Sequence, residues 1–164
     1  MSEQYKERLM FRKGDFAIQA KNFDLSNEWN ILRIMAGALM FPHVAGKFAS
    51  WMTLSQPTVE FFAKAGMAPG DVWVWIAACA EALSGICLVL GICTRYAALG
   101  AAAVLGIAAW ALLTARGVGW VWNKGGVEYP VFWAVTCLAI ALHEFKTVYA
   151  GSERAAAAGR PLTA

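Results

Sequence analysis

The chain has 164 residues, of which 59% are hydrophobic and only 15% charged, with a formal net charge of +3. Soluble domains usually carry about 25% charged and about 45–50% apolar residues. This balance, with a mean hydropathy of +0.50, argues against an ordinary water-soluble domain and points to the membrane. The charge is also too small and too dispersed for a nucleic-acid binder.

The first 28 residues mix acids and bases. A cleavable signal needs an apolar run of about 7–15 residues. None precedes Trp29, so the first span is expected to act as an uncleaved signal-anchor. The arm YKERLMFRKGDFAIQAKNF reads either as an interfacial helix on the inner leaflet or as a solvated tail or docking arm.

A hydrocarbon core of about 30 Å needs about 20 apolar helical residues. Four segments qualify: 29–52, 72–93, 96–115 and 127–148. The link between the first two contains TVEFFAKAGM, an amphipathic piece expected to lie in the interface, and MAPGD, which reads as a turn. GICTRY is a tight turn between the second and third spans. The third span carries Ala97/Ala101, Ala98/Ala102 and Ala102/Gly106 at the spacing that lets membrane helices approach closely. GSERAAAAGRPLTA reads as a frayed end. The expected fold is therefore an all-α integral membrane four-helix bundle. It divides into an N-terminal arm (1–28), a transmembrane domain (29–149) and a flexible C-terminal tail (150–164).

Four passes put both termini on one side. That side would hold Lys6, Arg8, Arg12, Lys13, Lys21, Arg95, Lys146, Arg154 and Arg160, against Lys64, Arg116 and Lys124 on the other. The positive-inside rule then gives N-in, C-in for a multi-pass membrane protein. Trp51, Trp73, Trp75, Trp120 and Trp122 gather at the outer boundary and Trp29 at the inner one, as aromatic belts do. The outward excess also fits an aromatic outer pocket.

Ionisable groups inside a membrane are costly and face the bundle interior or a water cavity. Here they are Arg33, His43, Lys47, Glu81 and, nearer the outer end, Glu128. At 1.5 Å per residue, His43 and Glu81 both lie roughly 18 Å from the inner boundary. Lys47 follows His43 by one turn. Arg33 precedes Lys47 by nearly four whole turns and so shares its face, and Pro42 is expected to kink the helix. A stripe of Arg33, His43 and Lys47 thus faces Ala77, Ala78, Glu81, Ser84 and Gly85 of the second span, and the four charged or titratable groups form one expected polar cluster. Whether it is a packing device or a proton- or ligand-handling site is open from the residues.

Gly125 and Gly126 give a turn, Glu128 starts the fourth span, and Glu128, Tyr129, Trp120 and Trp122 are candidates for an outer pocket, with Lys47 a candidate partner for Glu128. His143 and Glu144 in ALHEFKTVY do not make H-E-x-x-H, since Thr147 stands where the second histidine would. The four cysteines lie in apolar segments without metal-ligand spacing and read as small buried hydrophobes, so no disulfide and no metal site is expected. No phosphate-binding, nucleophile-elbow or haem-attachment motif occurs, so no catalytic residue is assigned.

The order of these pieces resembles the DoxX family of small four-helix bacterial membrane proteins, over about 31–149. The matching stretches are ILRIMAGALMFPHVAGKF with Arg33, Gly37, Gly46 and Lys47; AACAEALSGICLVLGICTRYAAL with Glu81, Gly85, Gly91 and Arg95; and NKGGVEYPVFW. The chain departs from the family in its long N-terminal arm and in HEFKTVYAGSE after the fourth span, where family members commonly carry a glycine-rich turn and Ser-x-Asp. The resemblance implies association with membrane redox systems, since the family is similar to the small membrane subunit of thiosulfate:quinone oxidoreductase and other members accompany oxidative-stress proteins.

Three readings follow. The chain is an accessory subunit of a quinone-linked redox complex, in contact with other membrane subunits and lipids, with quinone or lipid as a non-covalent ligand and no nucleic-acid partner. Alternatively it is a structural or assembly protein whose buried charges only fix helix packing. The third reading is a small proton or solute transporter, for which four spans make a narrow bundle.

Overall fold

The computed structural model describes residues 11–157, and within them the chain is predominantly helical. Among the described residues, three helices are long and apolar enough to cross a membrane. Numbering the described helices and strands along the chain makes these α4 (Gly70–Leu90), α5 (Thr94–Arg116) and α6 (Glu128–Ala157). They carry exposed Ile76, Leu83, Ile107, Trp110, Phe132 and Leu138, a surface suited to lipid. Of the cysteines, Cys137 is buried as expected, whereas Cys79 is exposed on α4, because its position turns away from the face that packs on the bundle.

The expected first span is not one continuous helix to residue 52. It is α1 (Glu28–Ala38) and α2 (Met40–Ala45), separated at Leu39. Pro42 explains the break. It has no N–H to donate to the Ala38 carbonyl four residues back, and its ring crowds that carbonyl. Beyond α2 the chain forms a short hairpin, β1 (Phe48–Ser50) against β2 (Thr53–Leu54), with Phe48 opposite Leu54 and Met52 at a φ of 57° in the connection. The helix ends early because the β-propensity of Phe48 and the Thr53–Leu54 pair beyond Gly46 favour a turned, extended ribbon.

The link to α4 holds α3 (Gln56–Lys64), which begins with Pro57 in its first turn. It lays Phe61 and Phe62 on a small core of Ala65, Met67, Ala111 and Ala115, so the amphipathic piece spends its apolar face on the bundle. The main core lies between α1, α2, α4, α5 and α6, around Met40, Leu88, Ala98, Ala101, Leu105, Trp133, Cys137 and Ile140. Ala98, Ala101 and Ala102 are buried there, whereas Gly106 is exposed. The closest approach of α1 and α4 is at Gly37 and Gly85. A Cβ on Gly37 would stand 2.8 Å from the Gly85 carbonyl oxygen and 2.8 Å from Leu88 Cβ. Only glycine lets the two backbones meet there.

Residues 11–27 fold back over the α4–α5 turn as two 3-10 turns, Lys13–Phe16 and Ala20–Phe23, with no interfacial α-helix. Asp15 Oδ2 accepts from Arg95 Nη2 at 2.6 Å, and the Asp15 carbonyl accepts from the Cys93 N–H at 2.6 Å. Asn22 Nδ2 donates to the Leu90 carbonyl at 3.3 Å. Burial first, then Asp15, raises the Cys93 thiol above its ordinary pKa. Asn27 caps α1 by accepting from the Trp29 N–H at 3.0 Å. Just before it, the Ser26 hydroxyl and N–H hold the Asp24 carboxyl below its usual value. At the other terminus α6 continues to Ala157, past 149, because Glu153, Arg154 and the alanines after them are good helix formers. The rest of the expected tail, 158–164, and arm residues 1–10 lie outside the described residues.

Candidate functional site

The site forms where the turn after α2 meets the middle of α4. Lys47 is pinned in that turn by backbone bonds on both sides. Its N–H donates to Val44 at 3.1 Å, and its carbonyl accepts from Ser55 at 2.9 Å. On α4, Ala78, Glu81, Ser84, Gly85 and Leu88 turn one face inward, so Glu81 points at the turn. Lys47 Nζ and Glu81 Oε2 are 2.5 Å apart, and each residue is only 8% exposed. Lys47 Nζ also donates to the His43 carbonyl at 3.3 Å. Such a contact is a charge-assisted hydrogen bond in a low-dielectric setting.

Two cavities share the wall that contains Glu81. One, of about 280 Å³, is lined by His43, Glu81, Arg116, Trp122, Tyr129 and Trp133 among others. The second, of about 440 Å³, runs between α3, α4 and α5, from Lys47, His43 and Glu81 to Phe61, Phe62, Met67, Trp73 and Ile107. His43, Glu81, Ala108 and Leu112 line both. The first is an aromatic chamber, with the His43 ring 5.3 Å from Trp133 and 6.2 Å from Tyr129. Trp133 buries an indole N–H that has no acceptor among the described residues. Buried donors of this kind normally find a partner. The second cavity is an apolar groove whose mouth is formed by exposed Trp73, Ile76 and Ile107.

The structure brings Lys47, Glu81 and His43 together, and it places Arg33 elsewhere. Arg33 is 3% exposed, and its guanidinium donates to the carbonyls of Leu88, Val89 and Asn22 and to Asn30 Oδ1. It caps the far end of α4, about two turns from Glu81. The expected alignment assumed one helix from Arg33 to Lys47, and the break at Leu39 removes that phase relation. Of the expected outer-pocket residues, Tyr129 and Trp122 line the aromatic chamber and Trp120 and Glu128 do not. Glu128 Oε2 instead accepts from the Trp122 N–H at 3.3 Å, and Lys47 pairs with Glu81 and not with Glu128. His143 stacks on Trp29, with ring centroids 4.1 Å apart.

Two features are not legible in the sequence. Arg116, at the end of α5, lines the chamber and stands 5.5 Å over the Phe61 ring. Its only sequence signal is a lone cation ending an apolar span. The Asp15–Arg95 pair joins residues 80 positions apart, and nothing periodic marks Asp15.

The fold and site define a multi-pass helical membrane protein with a buried ion pair between two cavities. Residues 29–114, just over half of the chain, match the sequence model of the DoxX family, and the chain belongs to that family. No curated protein and no solved structure matches it.

Proposed function

We propose that this DoxX-family protein is an accessory subunit of a membrane redox complex and holds a quinone or similar lipid-soluble amphiphile beside Lys47 and Glu81. The observation that carries the reading is the buried Lys47–Glu81 pair, set in the wall between an aromatic chamber and an apolar groove. Ligand sites are typically apolar pockets with a few convergent polar groups. A quinone head would find donors in Lys47, His43 and the Trp133 indole, and an acceptor in Glu81. Its apolar tail suits the groove. The redox assignment itself comes from the family resemblance.

We place the protein in the bacterial inner membrane as a four-helix bundle, N-in and C-in. Two facts support this. α1, Leu39 and α2 together cover residues 28–45, a length of roughly 27 Å at 1.5 Å per residue, which approaches the roughly 30 Å hydrocarbon core. The basic residues divide as the positive-inside rule requires for that topology.

The test is purification of the full chain from native membranes in mild detergent, followed by protein identification and quinone extraction. Recovery of this chain alone, with no redox protein and no quinone, defeats the reading. A second reading rests on the same 2.5 Å contact, which ties the turn after α2 to α4 and so fixes their register. On that reading Glu81→Gln leaves quinone-linked activity of the membranes intact whenever the protein accumulates normally. Loss of that activity at normal abundance favours ligand binding.

A further inference from the structure

Glu81 is approached from two directions, and the two approaches differ in kind. In α4, Gly70–Leu90, it lies roughly 16 Å from the first residue and roughly 13 Å from the last, near the middle of a hydrocarbon core of about 30 Å. The apolar groove reaches it sideways. The mouth residues Trp73, Ile76 and Ile107 are exposed on the flank suited to lipid. The aromatic chamber reaches it lengthwise. Its lining runs from Glu81, His43 and Ala108 to Arg116, Trp122 and Tyr129, and the last three are exposed. Arg116 ends α5 and Tyr129 lies in the first turn of α6, so this mouth is at the end of the bundle away from the α4–α5 turn. Ala108 and Arg116 are roughly 12 Å apart along α5, which carries the chamber from mid-depth to the membrane surface.

Polar groups mark the way. Arg116 sits at the mouth, 5.5 Å over the Phe61 ring. A Cβ on Gly125 would stand 2.8 Å from Arg116 Nη1, so the glycine turn makes room for the guanidinium. Tyr129 and His43 follow, 6.2 Å apart between ring centroids, and Trp133 adds an indole N–H without an acceptor among the described residues. A chamber of about 280 Å³ has room for several waters at about 30 Å³ each, and these side chains supply the polar partners that buried water needs. We infer that the aromatic chamber is an aqueous vestibule that gives the Lys47–Glu81 pair contact with water from the α5–α6 end of the bundle, while the groove opens the same pair to the bilayer. On the quinone reading, on which this last point rests, the molecule enters by the groove and its hydroxyl protons exchange through the chamber.

The test places single thiols on the two routes. Ala108→Cys puts one on the wall that both cavities share, and Ile107→Cys puts one at the groove mouth, one residue away and at nearly the same depth. The full chain carrying either change is reconstituted in lipid vesicles. It is exposed to sulfonatoethyl methanethiosulfonate, an anion, or to trimethylammonioethyl methanethiosulfonate, a cation. Neither reagent crosses lipid. Mass spectrometry of the labelled peptide gives each rate, with the unsubstituted chain as baseline. These reagents attack the thiolate, which forms in contact with water, so position 108 should react at least about tenfold faster than position 107. Adding Arg116→Glu should slow the anion and speed the cation at position 108, each by roughly fivefold, because only the chamber passes Arg116. A purely structural disturbance would move both reagents the same way. Equal rates at 107 and 108, or the same response of both reagents to Arg116→Glu, overturns the inference. Labelling needs no quinone, so failure of the vestibule is read separately from failure to recover quinone with the purified chain.

Discussion

Lys47→Met should destabilise the protein severely, and adding Glu81→Met should restore much of the loss. At 2.5 Å, two unit charges attract by about 7 kcal/mol at an effective dielectric constant of about 20. Withdrawing both ions from water takes back several kcal/mol of that. The pair as a whole is therefore near balance, but either partner left alone is not. Glu81 without Lys47 would be a carboxylate only 8% exposed, and breaking such a pair typically costs about 3–5 kcal/mol. Replacing both partners with apolar side chains removes the desolvation cost together with the attraction. Thermal unfolding of the detergent-solubilised chain, followed by tryptophan fluorescence, reads the effect for wild type, both single variants and the double variant. If Lys47→Met melts with wild type, or the double variant is no more stable than the worse single one, the pair is not the desolvated contact described here.

Gly37→Ala should force α1 away from α4, because its Cβ would stand 2.8 Å from the Gly85 carbonyl oxygen. Overpacking of this kind costs about 1–3 kcal/mol, readable in the same melting assay. Asp15→Asn should take from Arg95, which is 2% exposed, the carboxylate that lies 2.6 Å away, at a cost of up to about 3 kcal/mol. It should also speed amide exchange in 11–24, and unchanged exchange there would show that the arm is held by other contacts. Alkylation of Cys93 should reach half its maximal rate at a more alkaline pH than for an ordinary thiol. Burial and then Asp15 disfavour the thiolate, so the reactive form appears only as pH climbs through the raised pKa. A profile centred at the usual thiol value of about 8.5 would refute that account.

The three long apolar helices and the nearness of Glu81 to His43 and Lys47 are legible in the chain for one reason. An apolar helix advances a constant 1.5 Å per residue, so a position in it converts to a depth in the bilayer. Counting residues alone therefore sets Glu81 level with His43, one turn before Lys47. The same arithmetic fails for Arg33 because it also needs constant phase, and Pro42 interrupts the helix at Leu39. With the phase lost, Arg33 serves the last carbonyls of α4 and Lys47 meets Glu81 without it. The aromatic chamber shows the limit of local patterns in another way. Tyr129 and Trp122 are readable from their place beside the glycine turn, but Arg116 joins them only because α5 ends against the same cavity.

The arm lies furthest from what the chain can reveal. Its mixed polar and apolar residues have no period, so they fit an interfacial helix and a free tail equally well. Asp15 meets Arg95, and Asn22 meets the end of α4, across about 70 to 80 residues of sequence. Composition and hydropathy thus determined that this is a helical membrane protein and marked its three long apolar helices, because burial in lipid acts on each helix separately. Tertiary structure decided which charge meets which, where the cavities lie and how the arm docks, because those outcomes depend on how separate helices are phased and packed together.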